Sequence, residues 1–184
     1  PSGKPVDPAT YVLHHGVPTV DAARDAGYTR ELGEAVARVY QRETVVLWTQ
    51  LVAHVLYRQL VAQTPELDLF GRQRVRGATM PRAQLVAEVG EARDRLLGFA
   101  AAGRVHVGPV LQSQPADHIV DEALTAWSGY HTRPAASAKG NDIVIEDPNL
   151  LLFYQNRLVP FAEDLATADT LTAARTIAAL GGRA

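Results

Sequence analysis

Apolar residues recur with the period of an α-helix along most of this chain. Residues 31–40 place Leu32, Val36 and Val39 on one face, with Thr29 ahead of them as an N-cap. A shorter helical turn over residues 19–26 is expected to end at Gly27. Residues 44–63 carry the strongest helical signal. Val45, Trp48, Val52, Val55 and Leu56 line one side, and Val46, Leu47, Leu51 and Leu60 fill much of the rest. A helix apolar on nearly every side belongs in a core, and Pro65 stops this one. His54 falls inside it and is expected to be a hydrogen-bonded core or boundary histidine rather than a base.

Further along, Thr79 stands as an N-cap before Pro81, and Leu85, Val86, Val89, Leu96, Leu97 and Phe99 follow with helical spacing until Gly103 ends the unit. Residues 104–111 alternate at Val105 and Val107, and Pro109 limits them to a short or edge strand. Residues 117–130 form a helix, with Asp117 as cap and Ile119, Val120, Ala123, Leu124 and Trp127 as its apolar face. Residues 131–141 read as a loop. Residues 142–146 alternate again and are expected to pair antiparallel with 105–110.

The most informative stretch is 146–162, EDPNLLLFYQNRLVPFA. Asp147 caps a helix whose first position is Pro148, where a missing N–H costs nothing. Leu151, Tyr154, Leu158 and Phe161 share one face, and Leu150, Leu152 and Phe153 widen it. Pro160 should kink or end the helix near Val159, with a second helical piece over 161–171 that includes Leu165. The fold class that follows is mainly α: a helical domain with a small two-stranded antiparallel β element. An extended arm with Pro1, Pro5, Pro8 and Pro18, then an amphipathic helix, occupy 1–42; the helical domain occupies 43–184, with an Ala-rich helical tail over 172–184.

Composition narrows the function classes. The 184 residues, 47% of them hydrophobic and 21% charged, suit one globular domain. Cysteine is absent, which removes disulfides and thiolate metal sites. A net charge of −2 supplies no basic balance for nucleic acid. The longest apolar-leaning run, 44–61, is interrupted by Thr49, Gln50, His54, Arg58 and Gln59, so no membrane-spanning helix is expected. Lysine occurs only at Lys4 and Lys139 in an Ala-, Arg- and Val-rich background, as expected of a high-GC, actinobacterial-type coding sequence. Pro1, in place of an initiator Met, is expected of a chain trimmed or excised from something longer.

Candidate chemistry is sparse. The adjacent pair His14–His15 cannot share a face, and His118, Asp121 and Glu122 lack a further placed ligand, so neither reads as a metal site. Arg72, Arg74 and Arg76 alternate between Gly71 and Gly77, as a solvated loop or a contact for anionic headgroups at roughly 1 kcal/mol each. Arg157 is expected to form a structural ion pair, in the core or across a domain interface, with contact to a substrate phosphate as the alternative. Gly-x-Ser-x-Gly, P-loop and dinucleotide signatures do not occur.

The pattern Asp147, Pro148, Leu150, Leu151, Phe153, Tyr154, Asn156, Arg157, Leu158, after the short β-prone run 142–146, resembles the C-terminal region of bacterial and mitochondrial-type glycerol-3-phosphate acyltransferases. The resemblance extends upstream to about Glu43. Members of that family act through a His-x-x-x-x-Asp box, whose histidine is the general base and whose aspartate orients it. Here the residues five after His14, His15, His54, His106, His118 and His131 are Thr19, Val20, Gln59, Leu111, Ala123 and Ala136. The resemblance therefore implies a non-catalytic region, with no catalytic residue and no cofactor of its own. It implies a catalytic acyltransferase domain of the same polypeptide as partner, and a peripheral place at the cytoplasmic face of the cell membrane. Through the parent it implies acyl-CoA or acyl carrier protein as thioester donor, glycerol 3-phosphate as acceptor and lysophosphatidic acid as product. Arg72, Arg74, Arg76, Leu152 and Phe153 are its candidate interface or membrane contacts, and Arg157 its candidate substrate contact.

Two alternatives stand beside it. The helix over 79–99 followed by 103–107 suggests a winged-helix-like DNA-binding or regulatory module. A stand-alone helical domain, with the helix over 44–61 lining a ligand or partner pocket, is the other.

Overall fold

The computed structural model describes residues 22–165. The expectations for the arm, for His14–His15 and for the tail over 172–184 lie outside the described residues.

Eight helices and two small sheets follow in chain order among the described residues: α1 (Ala22–Glu43), β1 (Val45–Val46), α2 (Trp48–Gln63), α3 (Leu69–Arg72), β2 (Thr79–Pro81), α4 (Arg82–Ala101), β3 (His106–Val107), α5 (Pro109–Ser113), α6 (Ala116–Tyr130), β4 (Ala136–Lys139), β5 (Asp142–Ile145), α7 (Pro148–Gln155), a 3-10 segment (Asn156–Phe161) and α8 (Ala162–Leu165). The class is mainly α with a small antiparallel sheet, as the periodicity implied. The central element is α2, with Leu51, Val52, Val55, Leu56 and Leu60 fully buried. It packs against α4, α6, α7 and the 3-10 segment. The 146–162 stretch thus builds one wall of the core rather than its centre.

Strand pairing departs from expectation. Residues 142–146 do not meet 105–110. Instead β5 lies between β2 and β4 in an antiparallel sheet of order β2-β5-β4, with Thr79 opposite Val144 and Lys139 opposite Asp142. The reason is local. Gly140 and Asn141 form a two-residue hairpin turn, and Gly140 takes φ +61°, which suits glycine at the first turn position. Pairing with the segment just before it costs the least loop-closure entropy. Val105 and Val107 are buried elsewhere: His106–Val107 pairs in parallel with Val45–Val46, through His106 N–H to Thr44 O (3.0 Å) and Gly108 N–H to Val46 O (2.8 Å). A Cβ at Gly108 would meet Val46 O and the Leu47 side chain at 3.2 Å, so this crossing needs glycine.

Several boundaries shift for related reasons. Val45 and Val46 are β-branched and leave the helical run for β1, so α2 starts at Trp48. Its N-terminus is closed by Gln50, whose side-chain carbonyl accepts from Leu47 N at 3.1 Å. Thr79 and Pro81 form β2 rather than a cap, and Pro109 opens α5 at its first turn instead of blunting a strand. Gly27 does not end a helix: α1 runs through it, carried by the stripe Leu32, Val36 and Val39 that continues from Tyr28. Asp147 caps α7 as expected, accepting from Asn149 N (2.9 Å) and Leu150 N (3.4 Å). The helix tightens to 3-10 from Asn156, ahead of Pro160.

Helix α2, strand β2, helices α4 to α6 and hairpin β4–β5 follow in that order, with sheet order β2-β5-β4, so a hairpin fit for a wing lies at β4–β5 rather than at residues 103–107.

Candidate functional site

Helix α7 carries a buried side and an open side. Leu151 and Leu158 are fully buried and Leu152 is half-buried against the core, while Phe153 is 68% exposed. Next to Phe153, Tyr154 reaches the end of α6. Its hydroxyl lies 2.8 Å from His131 Nε2, its ring is 5.9 Å from that of the fully buried Trp127, and the Phe153 ring stands nearly perpendicular to it at 5.5 Å. Burial raises the Tyr154 phenol pKa, and nearby Tyr130 raises it further. Tyr130 is itself 82% exposed. Tyr130 and Phe153 are two open aromatic side chains near the hydrogen-bonded, ring-packed Tyr154, of the amphipathic kind that protein interfaces favour. The resemblance names Phe153 as a contact and gives no contact role to Tyr130 or His131. Their only sequence signal is the aromatic Tyr-His step where the α6 periodicity stops.

Arg157 emerges at the other end of α7. It is exposed, and no carboxylate among the described residues pairs with it, so the core alternative of the expected ion pair is not seen there. The reason is positional: the 3-10 turn rotates Leu158 and Phe161 into the core and leaves Arg157 outside. It lines an open groove of about 400 Å3 with Tyr40, Glu43, Thr44, Val45 and Gln50.

The arginine row sits elsewhere. Arg72 donates to Thr64 O at the C-terminus of α2 (3.3 Å) and serves as a helix cap. Arg76 donates to Gln73 O (3.0 Å) and Val75 O (2.8 Å), and Arg74 and Phe70 are both exposed. Gln50 and Thr64 are 14 residues apart on α2, so the Arg157 groove and the arginine row are separated by roughly 21 Å of helix. They do not form one site.

His54 is buried in α2, 1% exposed, and neither ring nitrogen has a hydrogen-bond partner. The core placement agrees with expectation; the hydrogen bonding does not. Burial pushes its pKa down to about 4 and the Arg58 charge adds to the fall, while a loose contact with the Gln155 side chain of α7, short of a well-formed hydrogen bond, opposes it. At neutral pH the ring is uncharged. His118 stands 3.5 Å from Glu122, and Asp121 is taken by Arg82 at 2.8 Å.

No family model matches the chain, and no curated protein or solved structure is significantly similar to it.

Proposed function

We propose that this chain is the non-catalytic C-terminal region of a glycerol-3-phosphate 1-O-acyltransferase, peripheral at the cytoplasmic face of the membrane. Its Tyr130–Phe153 face docks on the catalytic domain of the same polypeptide. One observation supports the reading above others. The motif that carries the resemblance spans both sides of α7: Asp147 starts the helix, Leu151 and Leu158 fill the core, and Phe153 faces outward. Core packing accounts for the leucines but not for an open phenylalanine set edge-on to Tyr154, which also has the open Tyr130 nearby. Such exposed apolar surface marks a contact. In this arrangement the catalytic domain supplies the base and its orienting carboxylate and binds the thioester. The present chain contributes shape and docking surface.

The test is acyl transfer to glycerol 3-phosphate by the whole polypeptide carrying Phe153→Ser and Tyr130→Ser. Loss of two aromatic anchors should lower the rate at least about tenfold. The unfolding midpoint of the 184-residue chain with the same changes should stay put, since both side chains are exposed. Full activity of the double variant would overturn the docking role.

A second reading is favoured by the strand order β2-β5-β4, that of a winged-helix module acting in regulation. In such modules the helix before the hairpin faces the partner. Here that helix, α6, exposes Asp117 and Asp121, and contains no Lys or Arg. The shared architecture therefore suits a protein partner better than a duplex.

A further inference from the structure

We propose that α1 pairs antiparallel with α1 of a second copy of this chain. This does not rest on the acyltransferase reading. Along α1 the residues Tyr28, Leu32, Ala35, Val36 and Val39 form one stripe, and each is only half-buried. No residue from 26 to 43 is buried, whereas α2, α4 and α6 each bury the stripe they carry. Among the described residues α1 takes no substantial part in the packing, which gathers around α2. Helices draw most of their stability from packing such a face, and Gly27 and Gly33 weaken this one further. The stripe therefore needs a partner.

The charges along α1 select that partner. Arg24, Arg30, Arg38 and Arg42 stand against Asp25, Glu31, Glu34 and Glu43, so the helix carries no net charge. A helix that lies on an anionic bilayer is rich in cations, and this one is balanced. On a heptad, Leu32 and Val39 fall at a, Tyr28 and Ala35 at d, and Glu31 and Arg38 at g. In an antiparallel pair a faces d and g faces g. Leu32 then meets the partner's Ala35, Tyr28 meets the partner's Val39, and Glu31 meets the partner's Arg38. The two-fold axis makes each contact twice. Large side chains meet small ones, and opposite charges meet. The same register sets position 42, an arginine, against position 25, an aspartate. A parallel pair keeps Arg38 near the partner's Glu43, but it sets Arg42 against the partner's Arg42, like charge on like charge. Within their own chain Arg38 reaches Glu34 at 3.7 Å and Arg42 reaches Glu43 at 3.2 Å, and a guanidinium has donors for a further carboxylate.

The experiment is sedimentation velocity of the 184-residue chain over a concentration series, joined to disulfide trapping. The sedimenting mass should rise with concentration from 19.9 kDa toward that of a dimer. Leu32→Asp should weaken self-association at least about tenfold, by placing a carboxylate in the seam. The variant should keep the parent unfolding midpoint at low concentration, because α1 lies outside the core. The chain has no cysteine, so introduced thiols report orientation cleanly. Leu32→Cys mixed with Ala35→Cys should oxidise to the mixed dimer, and Ala35→Cys alone should not cross-link. A chain that stays monomeric at every concentration, or self-association untouched by Leu32→Asp, would overturn the proposal. So would cross-linking of Ala35→Cys to itself, which marks a parallel pair. Leu32-dependent flotation of a monomeric chain with phosphatidylglycerol vesicles would overturn it too, by assigning the stripe to lipid.

Discussion

His54 shows how much one side chain can carry. Its folded pKa of about 4 lies below the ordinary 6.5. Between those values the unfolded chain binds the proton and the folded chain does not. Stability is therefore complete above pH 6.5 and falls as pH drops toward 4, by about 3 kcal/mol in all. Urea unfolding at stepped pH should show that slope. The variant His54→Leu should flatten it, and should be at least as stable at neutral pH because no buried nitrogen is left unpaired. An unchanged acid slope in His54→Leu would place the titrating group elsewhere. Burial of His54 was legible in the sequence, since its neighbours Val52, Val55 and Leu56 are apolar. Its lack of partners was not, because that depends on α7 crossing with Gln155 rather than an acid at the contact. The outward position of Arg157 was hidden for a similar reason. A helical wheel places it beside Tyr154 and Leu158, but the 3-10 turn changes the angle per residue and puts it outside.

At the scale of elements, the long helices were readable because α2, α4 and α6 each bury a stripe with a helical period. The Asp147–Pro148 start of α7 was readable because capping is local. The sheets were not. Two- to four-residue strands carry little period, and their partners are chosen by turn chemistry and by distant burial. Lys139-Gly140-Asn141 fixed the hairpin, while Val45–Val46 and His106–Val107 met only because α2 and α4 bring them together. If the chain acts as a winged-helix module, α6 makes a sharp prediction. With Asp117 and Asp121 outward and no cation on the helix, the chain should show no salt-dependent affinity for duplex DNA in fluorescence anisotropy. A linear fall of log affinity with log salt would instead make the module a nucleic-acid reader, with Arg133 and Lys139 of the wing region as its contacts.

The whole molecule is a core built around α2, with features of differing use at its surface. Tyr130 and Phe153 are open and aromatic, suited to a protein partner. The Arg157 groove is polar and open. Phe70, Arg74 and Arg76 are exposed in the segment that follows α2. Among the described residues no helix is long and apolar enough to cross a membrane.

The proposed place of these residues in a larger acyltransferase can be tested by immunoblot of fractionated source cells with an antibody raised against this chain. A band several-fold heavier than 19.9 kDa in the membrane fraction, co-purifying with glycerol 3-phosphate acylation, is expected. A soluble band near 20 kDa, with no such activity, would contradict it and leave a free-standing winged-helix module in its place.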